Sequence, residues 1–311
     1  ERAVFDKVLA DEAERQGVPI HYAHTITDCD LEGEGVRLAY TDGDGKAGSI
    51  DCDFVLDASG FGRVLSRLLD LEAPSDFPVR QAAITHVNDN LDPKEFDRNK
   101  ILVTVHPTER DIWYWIIPFS DGRSSMGVVA TEEKLAARGG VADPIALIQR
   151  CISEAPVLEH LLRNAEYCYP SRQVTGYSCN VKNLASKKFA LLGNAGEFLD
   201  PVFSSGLAIA MRSSSMAAEV LGRQLDGETV DWHKEYDAPL RKGVDTFRVF
   251  VDSWYNGMFQ DVIFFPDQSA NIRAMISSVL AGYAWDEKNP FVSNPLKRMI
   301  TLADFCQPIE A

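Results

Sequence analysis

The sequence predicts a mixed α/β fold, and three observations on the 311-residue chain support this prediction. An apolar strand leads through a glycine turn into a helix twice, in "DFVLDASGFGRVLSRLLDL" and in "KFALLGNAGEFLDPVFSSGLAIAM". Four strand-like segments joined by turn-rich pieces lie between residues 79 and 131 and predict an antiparallel sheet. After residue 225 the apolar residues recur almost entirely with helical spacing, which predicts a helical C-terminal region.

The N-terminal part begins with a predicted amphipathic helix over residues 3–16, which places Phe5, Leu9 and Ala13 on one face. Strands are predicted over 18–28, 35–41 and 48–56. The last of these enters the first glycine turn, after which Val64, Leu65, Leu68 and Leu69 mark a helix.

The central part is predicted to be a four-stranded meander over 79–88, 100–107, 111–119 and 124–131. Helices over 132–138, 143–153 and 156–163 and polar strands within 166–180 follow. The remaining prediction is a strand at 188–196, a helix at 205–225, and helices over 231–256, 258–265, 269–282 and 294–305.

Composition excludes several classes of partner. The net charge of −15 and the pI near 4.8 argue against binding to nucleic acid or to an anionic membrane, since phosphates attract clusters of Lys and Arg. We find no signal peptide and no apolar run that could span a bilayer. The six cysteines are widely separated, which is typical of the reducing cytoplasm, and neither they nor the six histidines have the spacing of a metal site.

The segment "ALLGNAGEFLDPVFSSGLAIAM" carries the clearest local signal for a ligand. Gly193 and Ala195 allow close approach of the backbone, Asp200 and Pro201 form a turn, and residues 204–206 open a helix of small residues. Unpaired N–H groups at a helix N-terminus favour an anion, a phosphate or the electron-rich edge of a ring cofactor. Alternatively, Ser204 simply caps the helix and the small residues pack it against a strand. Residue types alone leave both interpretations open.

This junction resembles the second flavin-binding motif of class A flavoprotein monooxygenases. The resemblance implies an FAD-binding, Rossmann-type fold and six residues close to FAD: Gly193, Asn194, Asp200, Pro201, Ser205 and Gly206. The segment "VLDASGFGR" is similar to the turn beside the adenosine half of FAD in the same fold, which implies contacts from Asp57, Ala58 and Gly60. A plain strand-to-helix turn is the alternative for this second segment.

Trp113, Trp115, Ile117 and Pro118 match the WxWxIP motif of flavin-dependent halogenases, a branch of that superfamily. Alternate residues of a strand share a face, so Trp113, Trp115 and Ile117 would form one surface, which we call the tryptophan wall. The resemblance implies that the wall keeps an organic substrate away from the flavin while a halide enters. Two aromatic residues at this spacing are also typical of an ordinary sheet core, and both interpretations can hold together.

The resemblance further implies the chemistry and its partners. The predicted catalytic residues are Trp113, Trp115, Ser204 and Ser205, with FAD reduced by a separate flavin reductase and with chloride or bromide near residues 204–206. "DPVFSSG" is similar to the junction of phenol and pyrrole halogenases, whereas tryptophan halogenases usually have glutamate where Phe203 stands. We therefore expect a phenolic, pyrrolic or carrier-protein-tethered aromatic substrate.

Two parts of the family pattern are not found in the sequence: the GxGxxG segment that binds the FAD pyrophosphate, and a lysine that follows it. We hypothesise that about 100 residues precede Glu1 in the native protein, from the size of such an opening, and that this fragment alone is inactive. Arg2 would match an arginine near the adenosine.

The expected division is an FAD-binding part at 1–78 and 181–225, a substrate-side sheet with helices at 79–180, and a helical region at 226–311. The alternatives are a monooxygenase, a geranylgeranyl-reductase-like oxidoreductase, or a truncated, non-catalytic remnant.

Overall fold

The computed structural model describes residues 2–140 and 142–306. The strands are β1 (Thr25–Asp30), β2 (Val36–Thr41), β3 (Ala47–Cys52), β4 (Val55–Asp57), β5 (Glu72–Ala73), β6 (Arg80–Asn88), β7 (Leu102–Val105), β8 (Trp113–Pro118), β9 (Arg123–Thr131), β10 (Arg172–Thr175), β11 (Asn180–Val181) and β12 (Phe189–Leu191). The helices are α1 (Arg2–Arg15), α2 (Val64–Leu68), α3 (Glu132–Ala136), α4 (Pro144–Ser153), α5 (Pro156–Leu161), α6 (Gly206–Leu225), α7 (Ala238–Tyr255), α8 (Met258–Ile263), α9 (Ala270–Leu280), α10 (Pro290–Ser293) and α11 (Pro295–Cys306).

The two predicted strand-turn-helix junctions lie side by side. Strands β4 and β12 pair in parallel, each enters a glycine turn, and α2 and α6 follow. Strand β12 ends at Leu191, earlier than predicted, because the chain turns at Gly193, whose φ is +51°. A Cβ on Gly193 would lie 2.9 Å from the Cβ of Ala210, so only glycine lets α6 pack this closely on the turn. This arrangement confirms the α/β class.

A five-stranded antiparallel sheet has the order β10-β6-β9-β8-β7. Strands β7, β8 and β9 form a meander as predicted, but the prediction that β6 precedes them in the sheet was wrong: β6 pairs with β9. The long connection over 89–101 allows the chain to pass β9 and β8 before β7 begins. One face of the sheet packs on α4 and α5, and the other faces α7.

Four predictions need correction, three of them for the N-terminal part. The strand predicted over 18–28 begins only at Thr25, and the one over 48–56 is two strands, because the chain leaves the β1–β3 sheet and joins the parallel pair at β4. The helix predicted over 3–16 is present as α1, but its predicted amphipathic face is not covered: α1 buries none of its described residues, and Phe5 and Leu9 are exposed. The predicted polar strands within 166–180 reduce to β10 and the short β11.

The C-terminal region is helical, as predicted. Residues 231–256 form a π-helical turn (His233–Asp237) followed by α7, and α10 precedes the predicted last helix. None of the described helices has both the length and the apolar character needed to cross a bilayer. Helix α7 contributes several of the largest buried side chains to the core, including Phe247, Phe250 and Trp254.

A buried ion network joins α7 to the loop after β12. The Glu197 carboxylate accepts hydrogen bonds from Arg241 and, at 3.2 Å, from Nη2 of Arg248. Arg241 also donates to Oδ1 of Asp237 at 2.6 Å, and the other oxygen of Asp237 accepts the backbone N–H of Leu184. Burial raises the pKa of Glu197, whereas the charges of Arg241 and Arg248 lower it. The two arginines therefore compensate the cost of burying this carboxylate.

Two helical glycines give opposite expectations for substitution by alanine. Gly243 of α7 lies under the ring of Trp285, where a Cβ would overlap the indole, whereas Gly222 of α6 is exposed with open space around it. We expect Gly243→Ala to lower the free energy of unfolding by about 1–3 kcal/mol through overpacking. The matched control Gly222→Ala should raise it by about 0.5–1 kcal/mol, because alanine favours a helix. Urea unfolding followed by circular dichroism measures both; a stabilised Gly243→Ala would contradict the observed packing.

Candidate functional site

The tryptophan wall lies on the sheet face that looks toward α7, as the alternation in β8 predicts. Trp113 is buried and Trp115 is half-buried, and their ring centroids are 5.6 Å apart. The indole of Trp115 lies over Gly127, where any Cβ would overlap the ring, and its Nε1 donates to Oγ of Ser125 at 3.1 Å. Gly127 and the hydroxyl of Ser125, both on β9, therefore fix the position of the Trp115 ring.

The turn that precedes α6 faces this wall. Asp200 caps it by accepting the backbone N–H of Val202 at 2.9 Å, and Ser204 has a left-handed φ of +52°. Ser204 is exposed, whereas Ser205 is buried at the N-cap of α6. A Cβ on Gly206 would lie 3.5 Å from Oδ1 of Asn194, so the two glycine-rich segments of the predicted motif meet here.

A cavity of about 340 Å³ separates the wall from the turn. All three wall residues line it on one side, and Pro201, Val202 and Ser204 line it on the other. The structure therefore brings Trp113, Trp115 and Ser204 of the predicted catalytic set together around one space. This volume lies at the lower end of the range typical of small-molecule sites.

A larger, apolar cavity of about 560 Å³ adjoins the first, and both share the lining residues Ile101, Val103, Val202 and Ser204. Phe203 meets the rings of Phe250, Trp254 and Phe259 edge-to-face, at centroid distances of 5.5–6.4 Å. Polar groups at this cavity include Asp267, Gln268 and Arg273.

Asp200 is buried, and its carboxylate is bound by groups of the chain itself. Oδ1 accepts the Val202 N–H, and Oδ2 accepts the hydroxyl of Tyr255 at 2.8 Å and that of Tyr177 at 3.4 Å. The hydroxyl of Tyr255 in turn accepts Nε1–H of Trp113 at 3.0 Å. A hydrogen-bond chain therefore runs from the turn to the wall through Tyr255. Sequence reasoning missed this link, because Tyr177 and Tyr255 come from other parts of the chain.

Burial raises the pKa of Asp200 to about 6, although its hydrogen bonds and the charge of Arg80 lower it. Since this value exceeds the ordinary one of 3.8, the ionised carboxylate costs folding free energy above about pH 6. That cost disappears as the pH falls from about 6 toward 3.8 and the carboxyl becomes protonated in both states.

The first glycine turn is organised by Asp57. Its Oδ1 accepts the N–H of Ser59 and its Oδ2 accepts the N–H of Leu65, both at 2.8 Å. Ala58 is exposed and Gly60 has a φ of +60°, so the backbone of this turn is open to a ligand. Arg2 lies elsewhere, on the exposed surface of α1, where it pairs with Asp6 at 3.1 Å.

A protein-family model described as tryptophan halogenase matches residues 1–284. The chain belongs to this family. The resemblance inferred from the tryptophan motif and the turn is therefore confirmed.

Among curated relatives of this halogenase-family chain is a 1H-pyrrole-2-carbonyl-[peptidyl-carrier protein] chlorinase of Pseudomonas fluorescens, 24% identical over 98% of the chain and 68% of the relative. A flavoprotein/dehydrogenase from Cytophaga hutchinsonii is similar in structure with a TM-score of 0.91 and 37% identity, over 97% of the chain and 73% of that protein. The flavin-dependent brominase Bmp2 has the same fold, with a TM-score of 0.81 and 23% identity over 99% of the chain and 76% of Bmp2. The match to a tryptophan 2-halogenase of Chondromyces crocatus spans only 44% of that relative.

The residues of this halogenase-family chain fit FAD, the cofactor of flavin-dependent halogenases. The smaller cavity has apolar walls for a ring, and the N-terminus of α6 at Gly206 lies beside the turn that borders it. A Cβ on Gly206 would be in van der Waals contact with Asn194 and Phe198, so glycine leaves that space to a ligand. The backbone from Ala58 to Gly60 follows β4, the parallel partner of β12, so it lies at the same edge of this strand pair as the turn after β12.

We expect Asp57→Asn to destabilise this halogenase-family protein by about 1–3 kcal/mol, because the amide NH₂ cannot accept the N–H that it faces. The matched control is Asp53→Asn on the exposed segment just before β4, which should change stability by less than about 0.5 kcal/mol. Thermal unfolding measures the change in stability of both variants. An Asp57→Asn variant as stable as its control would show that the carboxylate does not hold the turn.

Proposed function

We propose that this chain carries the halogenation site of an enzyme that acts on an electron-rich aromatic ring, phenolic or pyrrolic. The observation that carries the proposal is the tryptophan wall facing the turn before α6 across the smaller cavity, with the apolar cavity next to it. We propose Trp113, Trp115, Ser204 and Ser205 as the residues that act at the reacting centre. Asp200, through its cap on Val202, holds the turn in place.

Each of these groups has a separate task. FAD, when bound and reduced, would supply two of the four electrons that reduce O₂, and a chloride or bromide ion would supply the other two as it is oxidised. The N–H groups at the start of α6 favour the halide, because a helix N-terminus attracts an anion. The indoles of Trp113 and Trp115 occupy the space in which an organic ring would otherwise reach the flavin. Cofactor contacts by Gly193, Asn194, Pro201, Ser205 and Gly206, and by Asp57, Ala58, Gly60 and Arg2, remain predictions.

The apolar cavity supports the proposed substrate class. Its lining is dominated by aromatic and aliphatic side chains, and Phe203 stands where the resemblance implies a glutamate in tryptophan halogenases. A neutral ring loses little solvation free energy by entering such a site. The relative that is named as a carrier-protein chlorinase supports a substrate tethered to a carrier.

We also propose a flavin reductase as partner and a cytoplasmic location. All six cysteines are free, which suits a reducing compartment. The similar flavoprotein/dehydrogenase favours a second candidate, an oxidoreductase of this fold that does not halogenate. One assay distinguishes the two.

We expect the native-length protein that contains this chain, supplied with FAD, a flavin reductase, NADH, O₂ and bromide, to brominate an activated phenol or pyrrole. Mass spectrometry of the product detects the bromine isotope pattern. A hydroxylated or dehydrogenated product without bromine would contradict halogenation and favour the other oxidoreductases. A protein that binds no flavin, judged by its absorbance after desalting with FAD, would favour the non-catalytic remnant.

Filling the apolar cavity tests whether the substrate binds there. Ile272 of α9 lines this cavity, and Ile272→Trp would fill part of it with a larger side chain. We expect this variant to lower kcat/KM for halogenation by about tenfold or more, with FAD binding unchanged. Ala274→Trp places the same side chain on the exposed face of α9 and should leave kcat/KM near the wild-type value. Equal effects of the two variants would locate the substrate elsewhere.

A further inference from the structure

Arg80, the first residue of β6, is buried on the sheet face that carries the tryptophan wall, in line with Ala82. Its guanidinium lies over the ring of Tyr255, with Cζ 3.3 Å from the ring centroid. Its Nε and Nη1 are buried and donate to no hydrogen-bond acceptor among the described residues. A buried cation with two unused donors is costly, so its position requires a compensating interaction.

Two neighbours compensate the charge of Arg80. The face of the Tyr255 ring attracts the cation. The carboxylate of Asp200 is close enough for the charge of Arg80 to favour its ionised form, although Nε and Nη1 make no hydrogen bond to it. The hydroxyl of Tyr255 donates a hydrogen bond to Oδ2 of this carboxylate, at 2.8 Å.

We propose that Arg80 is a positioning residue whose charge keeps Asp200 ionised, so that Tyr255 donates to the carboxylate and accepts the indole N–H of Trp113. The direction of these bonds matters, because a phenol has a single proton to donate. While Asp200 is ionised, that proton goes to the carboxylate and the phenol oxygen is free to accept from Trp113. Once Asp200 gains a proton, its O–H competes with Trp113 for the same oxygen.

The groups that face Asp200 come from four parts of the fold: Arg80 on β6, Tyr177 before β11, Tyr255 at the end of α7, and the N–H of Val202. Burial raises the pKa of both tyrosines, so they stay protonated where Asp200 titrates. The pKa of Asp200, about 6, then decides the pH at which the bond to Trp113 weakens. Without Arg80, the carboxyl would become protonated at a higher pH.

The role of this hydrogen-bond chain in catalysis rests on the proposed function, whereas the bonds themselves do not. The test therefore uses the native-length protein without flavin, halide or substrate. The ¹⁵N-indole NMR signal of Trp113, assigned by its loss in Trp113→Phe, is followed from pH 5 to 9. We expect a titration with a midpoint near 6 in the wild type and none in Asp200→Asn.

Arg80→Met should raise that midpoint by about one pH unit or more, since a favourable buried charge is removed. Arg80→Lys keeps the charge and should stay closer to the wild type. Arg172→Met removes an exposed arginine from the same sheet face and should leave the midpoint unchanged. The other indole signals report whether each variant is folded.

A Trp113 signal that does not titrate in the wild type, or the same midpoint in Arg80→Met as in the wild type, would overturn the proposal. If Arg80→Met does not fold, a midpoint in Arg80→Gln equal to that of Arg80→Lys would overturn it as well. A failed halogenation assay leaves these outcomes untouched, so the two proposals fail independently.

Discussion

The buried carboxylate of Asp200 is the interaction on which the arrangement of the site depends. One oxygen holds the turn before α6 through Val202, and the other holds the phenol of Tyr255 and, beyond it, the indole of Trp113. A charge placed out of water must be bound by several donors, so the chain has to bring its turn, its last long helix and its sheet together around this group. The relative position of wall and turn, and hence the shape of the smaller cavity, follows from that requirement.

The two cavities divide the space around the turn into regions of different character. The smaller one lies between the indoles and the backbone of the turn, whereas the larger one is enclosed by the aromatic side chains of the C-terminal helices. Ser204 and Val202 line both, so the two cavities meet at the turn. We propose that this arrangement keeps an organic ring in the larger cavity away from the flavin, while the reactive halogen reaches that ring past the turn.

Local patterns predicted most of the elements but not their neighbours. The alternation in β8 correctly placed both tryptophans on one face, because side-chain direction in a strand is a local property. The pairing of β6 with β9 was missed, since a long connection leaves the choice of partner to packing. Phe5 and Leu9 show the same limit: periodicity identifies an apolar face, but only the tertiary structure shows whether the face is covered.

By itself, the sequence determined the family and three of the residues that line the smaller cavity, Trp113, Trp115 and Ser204. Motifs with fixed spacing, such as Trp113 with Trp115 and Asp200 with Ser204, predict the relative positions of their residues, because a strand or a turn sets that geometry locally. The tertiary structure alone decided which groups hold those motifs in place. Arg80, Tyr177 and Tyr255 carry no recognisable spacing, since they meet Asp200 only when a strand, a loop and a helix pack against one another.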